Sequence, residues 1–140
     1  MNAIPLPSVR RPRRWAAAPL LLAALVCGGA IAAPSAQAER ETEQLIQALG
    51  QSGCQFERNG SWYPADEAQA HLRKKLAYLR KRGLADTAEL FIERAGSQSS
   101  LSGKPYRVRC GERPAATSAA WLQAKLVQLR AAPGATTPSP

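Results

Sequence analysis

The chain has 140 residues, 45% of them hydrophobic and 21% charged, and its 19 Lys and Arg against 10 Asp and Glu give a formal net charge of +9. That length is one domain's worth at most, which excludes a multidomain machine. A single His and three Cys, with no C-x-x-C spacing, exclude the common zinc-ligand patterns, and no cofactor motif is present.

The N-terminal segment reads first. Arg10, Arg11, Arg13 and Arg14 occur there without an acid, and Ala16 to Ala33 then carries no charged side chain. Ala36-Gln37-Ala38 follows, small residues on either side of a larger one, just before Glu39-Arg40-Glu41. A basic start, a short apolar run and an A-x-A exit form the three-part secretory signal, cleaved after Ala38. The arginines stay on the cytoplasmic side while the apolar run crosses. The alternative is an inner-membrane anchor holding the domain toward the periplasm. Eighteen uncharged residues are at the short end of what spans a bilayer, and Gly28 and Gly29 leave the run only mildly apolar. Cys27 follows Leu25-Val26, where a lipoprotein site needs a small residue, and the arginine pairs lack twin-arginine surroundings. The expected organisation is a leader over 1–38, one domain over 39–130 and a flexible Pro/Thr/Ser tail over 131–140. The protein is then periplasmic, with no stable membrane span once the leader is removed.

Without the four leader arginines the net charge is +5, from 15 basic and 10 acidic residues. That is a mild bias toward anionic partners, and in an exported protein nucleic acid is not an expected one. Cys27 leaves with the leader, so Cys54 and Cys110 remain. Two cysteines in a small exported domain read as one disulfide.

Along the domain, Glu39 to Leu49 predicts a helix with Leu45, Ile46 and Leu49 on one face. Cys54 to Arg58 and Ser61 to Tyr63 flank Asn59-Gly60, the strongest short hairpin signal, and alternation puts Cys54, Phe56 and Arg58 on one face. Pro64 sits in the first turn of a second helix reaching about Arg82, stopped by Gly83, with Ala68, Leu72, Leu76 and Leu79 toward the core. Asp86 starts a third helix, with Glu89 completing a capping-box-like pair and Leu90, Phe91 and Ala95 as its apolar face. Gly96 to Gly103 is a serine-rich loop, and Pro105 to Cys110 a strand with Tyr106, Val108 and Cys110 on one face. Thr117 or Ser118 caps a last helix through Trp121, Leu122, Leu126 and Leu129. The fold expected is α+β: a small antiparallel sheet, hairpin plus one strand, packed with three to four helices and closed by one disulfide.

Three constellations invite chemistry. His71 shares a helical stripe with Lys75, Tyr78 and Arg82, beside the leucine face. The loop Ser97 to Tyr106 combines hydroxyls, Gly103, Lys104 and backbone amides that suit an anion. It is not a phosphate loop: six residues separate Gly96 from Gly103 where four are needed, and Pro105 stands where Ser or Thr holds magnesium. It carries no G-x-S-x-G elbow, and Lys104 is not at S-x-x-K spacing from any serine. The basic runs Arg73-Lys74-Lys75 and Arg80-Lys81-Arg82 read as a solvated helix face, and Trp62 and Trp121 as core or rim anchors.

Phe56-Glu57-Arg58-Asn59-Gly60, Glu67-Ala68, His71-Leu72-Arg73, Thr87-Ala88-Glu89 and above all Ser99-Ser100-Leu101-Ser102-Gly103-Lys104-Pro105-Tyr106 resemble the YfeK-like family of small exported bacterial proteins. The resemblance spans about Glu41 to Leu129 and implies a periplasmic protein with a domain of unknown function. It assigns no activity. From the matched residues, the expected binding set is His71, Arg73, Ser99, Ser100, Lys104 and Tyr106. These form either an anchoring network for the serine loop or an anion pocket. The expected role is a non-catalytic binding or structural protein whose partner is an envelope protein or an anionic envelope component. The alternatives are a small envelope hydrolase or transferase using a serine of 97–102 or His71, and an anionic-lipid or polyanion binder. No catalytic residue and no metal ligand is assigned.

Overall fold

A computed structural model describes residues 33–132. The expected leader up to residue 32 and the tail from residue 133 lie outside the described residues. Helix α1 runs Ala36–Gly50, three residues earlier than the expected boundary at Glu39. Ser35 Oγ accepts from the Ala38 backbone N–H at 3.1 Å, and Glu39 lies in the first turn, where a carboxylate meets the positive end of the helix dipole. The expected cleavage point after Ala38 thus falls in the first turn of this helix. Leu45, Ile46 and Leu49 are buried, as their spacing predicts.

Strands β1 (Gln55–Arg58) and β2 (Ser61–Pro64) pair antiparallel with Phe56 opposite Tyr63 and Arg58 opposite Ser61. Asn59 and Gly60 have φ of 53° and 86°, both left-handed, which is what the two-residue turn demands. Strand β3 (Arg107–Arg109) pairs with the other edge of β1, Phe56 opposite Val108. Strand β4 (Ala116–Thr117) extends the sheet to β2-β1-β3-β4. The fourth strand goes beyond the three expected. Two residues are too few for an alternating pattern, and β4 exists by pairing with Arg107 and Val108.

Pro64 is the N-cap of α2 (Ala65–Arg80), and the helix ends with Lys81 as C-cap, short of the expected Arg82. Leu72, Leu76 and Leu79 are buried. Helix α3 (Ala88–Phe91) is capped by Thr87, not Asp86: Thr87 Oγ1 accepts from Leu90 N at 3.1 Å. The expected Asp86–Glu89 capping pair does not form, because Thr87 takes the cap and Glu89 turns to Arg130 at 2.7 Å. The chain continues as a π-helical turn, Ile92–Gly96. Gly96 packs where a Cβ would run into the end of the Leu122 side chain, so any larger residue there would force Leu122 to move. That helix, α4 (Ser118–Ala131), is capped by Thr117, whose Oγ1 accepts from Ala120 N at 3.3 Å.

The core lies between the helices and one face of the sheet, with Phe91, Leu45, Ile46, Ile92 and Leu122 almost wholly enclosed. Trp121 meets Phe56 edge-on at 5.8 Å, while Trp62 lies at the sheet's outer face under Arg109. Cys54 and Cys110 are bridged, continuing the Gln55–Arg109 register by one pair. The α+β class and the disulfide are those expected. Arg130 bonds Glu41 of α1 at 2.8 Å as well as Glu89 of α3, joining three helices at one point.

Candidate functional site

Alternation along β1 puts Arg58 on the same face as Phe56, at the end of the strand where the core opens toward α2. From α2, His71 lines the same opening, and Lys75, one turn further on, reaches Tyr106. Tyr106, immediately before β3, is buried behind them. Arg58 Nη1 lies 2.7 Å from His71 Nδ1, and His71 Nε2 lies 3.1 Å from Tyr106 Oη. Lys75 Nζ donates to Tyr106 Oη at 3.5 Å and to Gln98 O at 3.1 Å.

These contacts fix the protons. A guanidinium only donates, so His71 Nδ1 accepts, the imidazole is neutral, and its proton sits on Nε2 and is donated to Tyr106 Oη. The phenol oxygen therefore receives two N–H donors. Its own O–H meets no acceptor among the described residues. Burial, with the Arg58, Lys75 and Lys74 charges, lowers the His71 pKa and favours the same neutral ring. Burial lowers Lys75 as well, with Arg58 adding to it. Burial raises the Tyr106 phenol against the opposing pull of Arg58, so it stays protonated.

The Arg58 guanidinium also stacks 4.7 Å from the Tyr63 ring centroid. It forms no ion pair among the described residues: Glu57, its neighbour, is held 3.6 Å from Arg107. A cleft of about 60 Å³ opens beside this cluster, floored by Leu49, Phe56, Ala68 and Leu72, with Glu57, Glu67 and Ser118 also at its walls. It has room for a small group, not for a drug-sized ligand.

Of the residues singled out in the sequence, His71 and Tyr106 meet here and Lys75 joins them. Tyr78 and Arg82 stack on each other at the surface, 3.8 Å apart. Arg73 is directed elsewhere, to Glu43 of α1 at 2.7 Å, a carboxylate shared with Arg80 at 3.4 Å. Ser99 is buried and acts on its own loop, its Oγ accepting from Leu101 N and Ser102 N, both at 3.3 Å. Ser99 N donates to Lys104 O and Tyr106 N to Ser97 O, each at 2.9 Å, and Ser102 Oγ donates to Asn59 Oδ1 at 2.6 Å. The loop is thus anchored to itself, to the hairpin and, through Lys75, to α2. Ser100 and Lys104 are exposed. No hydrogen bond joins His71 to a serine among the described residues; its two ring nitrogens face Arg58 and Tyr106.

Alternation in the sequence placed Arg58 on one face of β1 with Cys54 and Phe56 yet assigned it no role. The signal was there: it is the one cation on a face otherwise shared with Cys54 and Phe56. Among the described residues no group of three or more His, Cys, Asp or Glu is placed to hold a metal, and no helix is long and apolar enough to cross a membrane.

Residues 36–130 match the family model described as a family of unknown function, DUF5329, and the chain belongs to that family. A curated relative, "Uncharacterized protein YfeK" of Salmonella typhimurium strain LT2, is 42% identical over 73 residues, covering 51% of this chain. The match spans 59% of that relative's length. The YfeK-like resemblance read from the sequence is borne out. No solved structure matches the chain.

Proposed function

We propose that this DUF5329 member is a non-catalytic binding protein of the bacterial envelope, and that it receives a small anionic group in the cleft lined by Arg58, His71 and Tyr106. One observation carries the reading: Arg58 is a half-buried guanidinium whose partners are a neutral imidazole nitrogen and an aromatic face, with no carboxylate in ion-pair contact with it among the described residues. A cation held out of water without a counter-charge is costly, and an incoming anion offsets that cost. Lys75 adds a second positive charge 3.5 Å from the same phenol, and the phenol's O–H has a free donor direction. Binding rather than turnover is favoured because the serine loop's buried hydroxyl is already engaged by its own backbone.

The envelope assignment rests on the leader pattern of residues 1–38 and on the Cys54–Cys110 bridge, a bond that persists in oxidising compartments.

The test is thermal unfolding of the oxidised protein at low ionic strength against a panel of small anions. A ligand at a hundred times its Kd stabilises by about 2.7 kcal/mol, a readily measured rise in melting temperature. The rise is expected in the native protein and absent from Arg58→Met. An equal rise in both proteins places the anion elsewhere and removes the reading.

A further inference from the structure

The geometry points to a single carboxylate on a short apolar tail as the group this cleft accepts, an inference that rests on the anion-binding reading above. That chemistry is shared by a free short-chain carboxylic acid and by a peptide terminus ending in a small residue such as alanine.

The cleft is lined both by polar groups, Arg58 and Tyr106 among them, and by the apolar side chains of Leu49, Phe56, Ala68 and Leu72. With Arg58 Nη1 engaged by His71 and the guanidinium stacked on Tyr63, the plane of the guanidinium is set and its remaining N–H groups have no hydrogen-bond partner among the described residues. A planar fork of donors matches the two oxygens of a carboxylate. The Tyr106 O–H supplies a third donor, its oxygen already saturated by His71 and Lys75.

A tetrahedral dianion fits poorly. Phosphate or sulfate would turn oxygens onto Leu49, Phe56, Ala68 and Leu72, side chains that offer no donor, and would bring a second negative charge beside Glu57 and Glu67. A monoanion with a methyl or ethyl group places its charge on the fork and its carbon on the floor. The volume of about 60 Å³ limits that tail to a few atoms.

The test is a calorimetric titration of the oxidised protein with formate, acetate, propionate and hexanoate, and with phosphate and N-acetyl-alanine. Affinity is expected to rise about fourfold per methylene from acetate to propionate, the increment for burying one CH₂, and to fall at hexanoate. Phosphate is expected to bind more weakly than propionate. N-acetyl-alanine tighter than propionate identifies the terminus as the source; propionate tighter identifies the free acid. Ala68→Val, which fills the floor, is expected to erase the methylene increment and retain formate. Phosphate tighter than every carboxylate, or equal affinity along the series, overturns the carboxylate assignment while leaving the anion reading standing. Failure of every anion to bind overturns both.

Discussion

Arg58 donates to Nδ1 of His71 across 2.7 Å, joining the end of β1 to the middle of α2. The bond is directional, since the guanidinium has no lone pair and the imidazole must supply one. It therefore sets the tautomer, and the tautomer sets the next link, Nε2–H to Tyr106 at 3.1 Å. The end of β1, the middle of α2 and the residue leading into β3 are thus joined through one ring.

This pair makes the fold sensitive to mild acid. The His71 pKa is lowered in the folded protein from an ordinary value of 6.5, by burial first and then by Arg58 and the two lysines. The unfolded chain therefore takes up its proton at higher pH than the folded one. Stability from this group is complete above about pH 6.5 and declines as pH falls from there through the lowered folded value. Urea unfolding at pH 7.5 and 5.5 is expected to show the loss. His71→Gln, which keeps an acceptor and a donor without a titratable charge, is expected to flatten it. The carboxylates held low by Arg130, Glu41 and Glu89, lose their contribution only below their ordinary 4.5, so the two windows are separable. A slope between pH 7.5 and 5.5 that persists in His71→Gln would assign the effect to other groups.

The serine loop separates its members by burial. Ser99→Ala leaves the Leu101 and Ser102 amides without their acceptor in a part-buried turn and is expected to cost about 1–3 kcal/mol. Ser100 is exposed, and Ser100→Ala is expected to change stability by no more than about 0.5 kcal/mol. Denaturant midpoints of the two variants decide this, and equal values would contradict the anchoring role of Ser99.

The bridge closes a loop of 56 residues between Cys54 and Cys110. In the chain-entropy account a loop of that size is worth about 4 kcal/mol. The double variant Cys54→Ser with Cys110→Ser is expected to lose roughly that amount in urea titration, a large share of a small domain's stability. A loss below about 1 kcal/mol would mean that the sheet pairing alone holds these ends together.

Arg130 is half exposed, but Glu41 beneath it is buried. Arg130→Met is expected to destabilise by about 1–3 kcal/mol, because a buried carboxylate loses two charge-assisted bonds. Solvent access to the arginine keeps the figure at the lower end. Arg73→Ala breaks an exposed pair with Glu43 and is expected to stay within about 0.5 kcal/mol. Comparable losses from both would show that burial of Glu41 is not what matters.

Elements with a strong period or a strict turn were legible in the sequence. The leucine stripe of α2 and the Asn59-Gly60 hairpin carry their own physics, and Cys54 and Cys110, the two cysteines within residues 36–130, leave one pairing there. What escaped depended on partners distant in the chain. β4 is two residues that become a strand only beside β3. The choice of Thr87 over Asp86 as cap turned on a one-residue difference in where α3 begins, which propensity does not resolve. Arg73 and His71 stand two residues apart on one helix and so face different neighbours, Glu43 for one and the cleft for the other. Arg58 was given no role because its contact with His71 depends on how the hairpin lays β1 against α2.

His71 is the one histidine in the chain, so its ring resonances need no assignment among rivals. An NMR titration of the oxidised protein with propionate, following the imidazole carbon-bound protons and ring nitrogens, tests the anion cleft most directly. A saturable shift of the His71 signals with Nδ1 remaining unprotonated is expected, and no such shift in Arg58→Met. His71 signals that stay fixed through the titration, or that move equally in the variant, would contradict it.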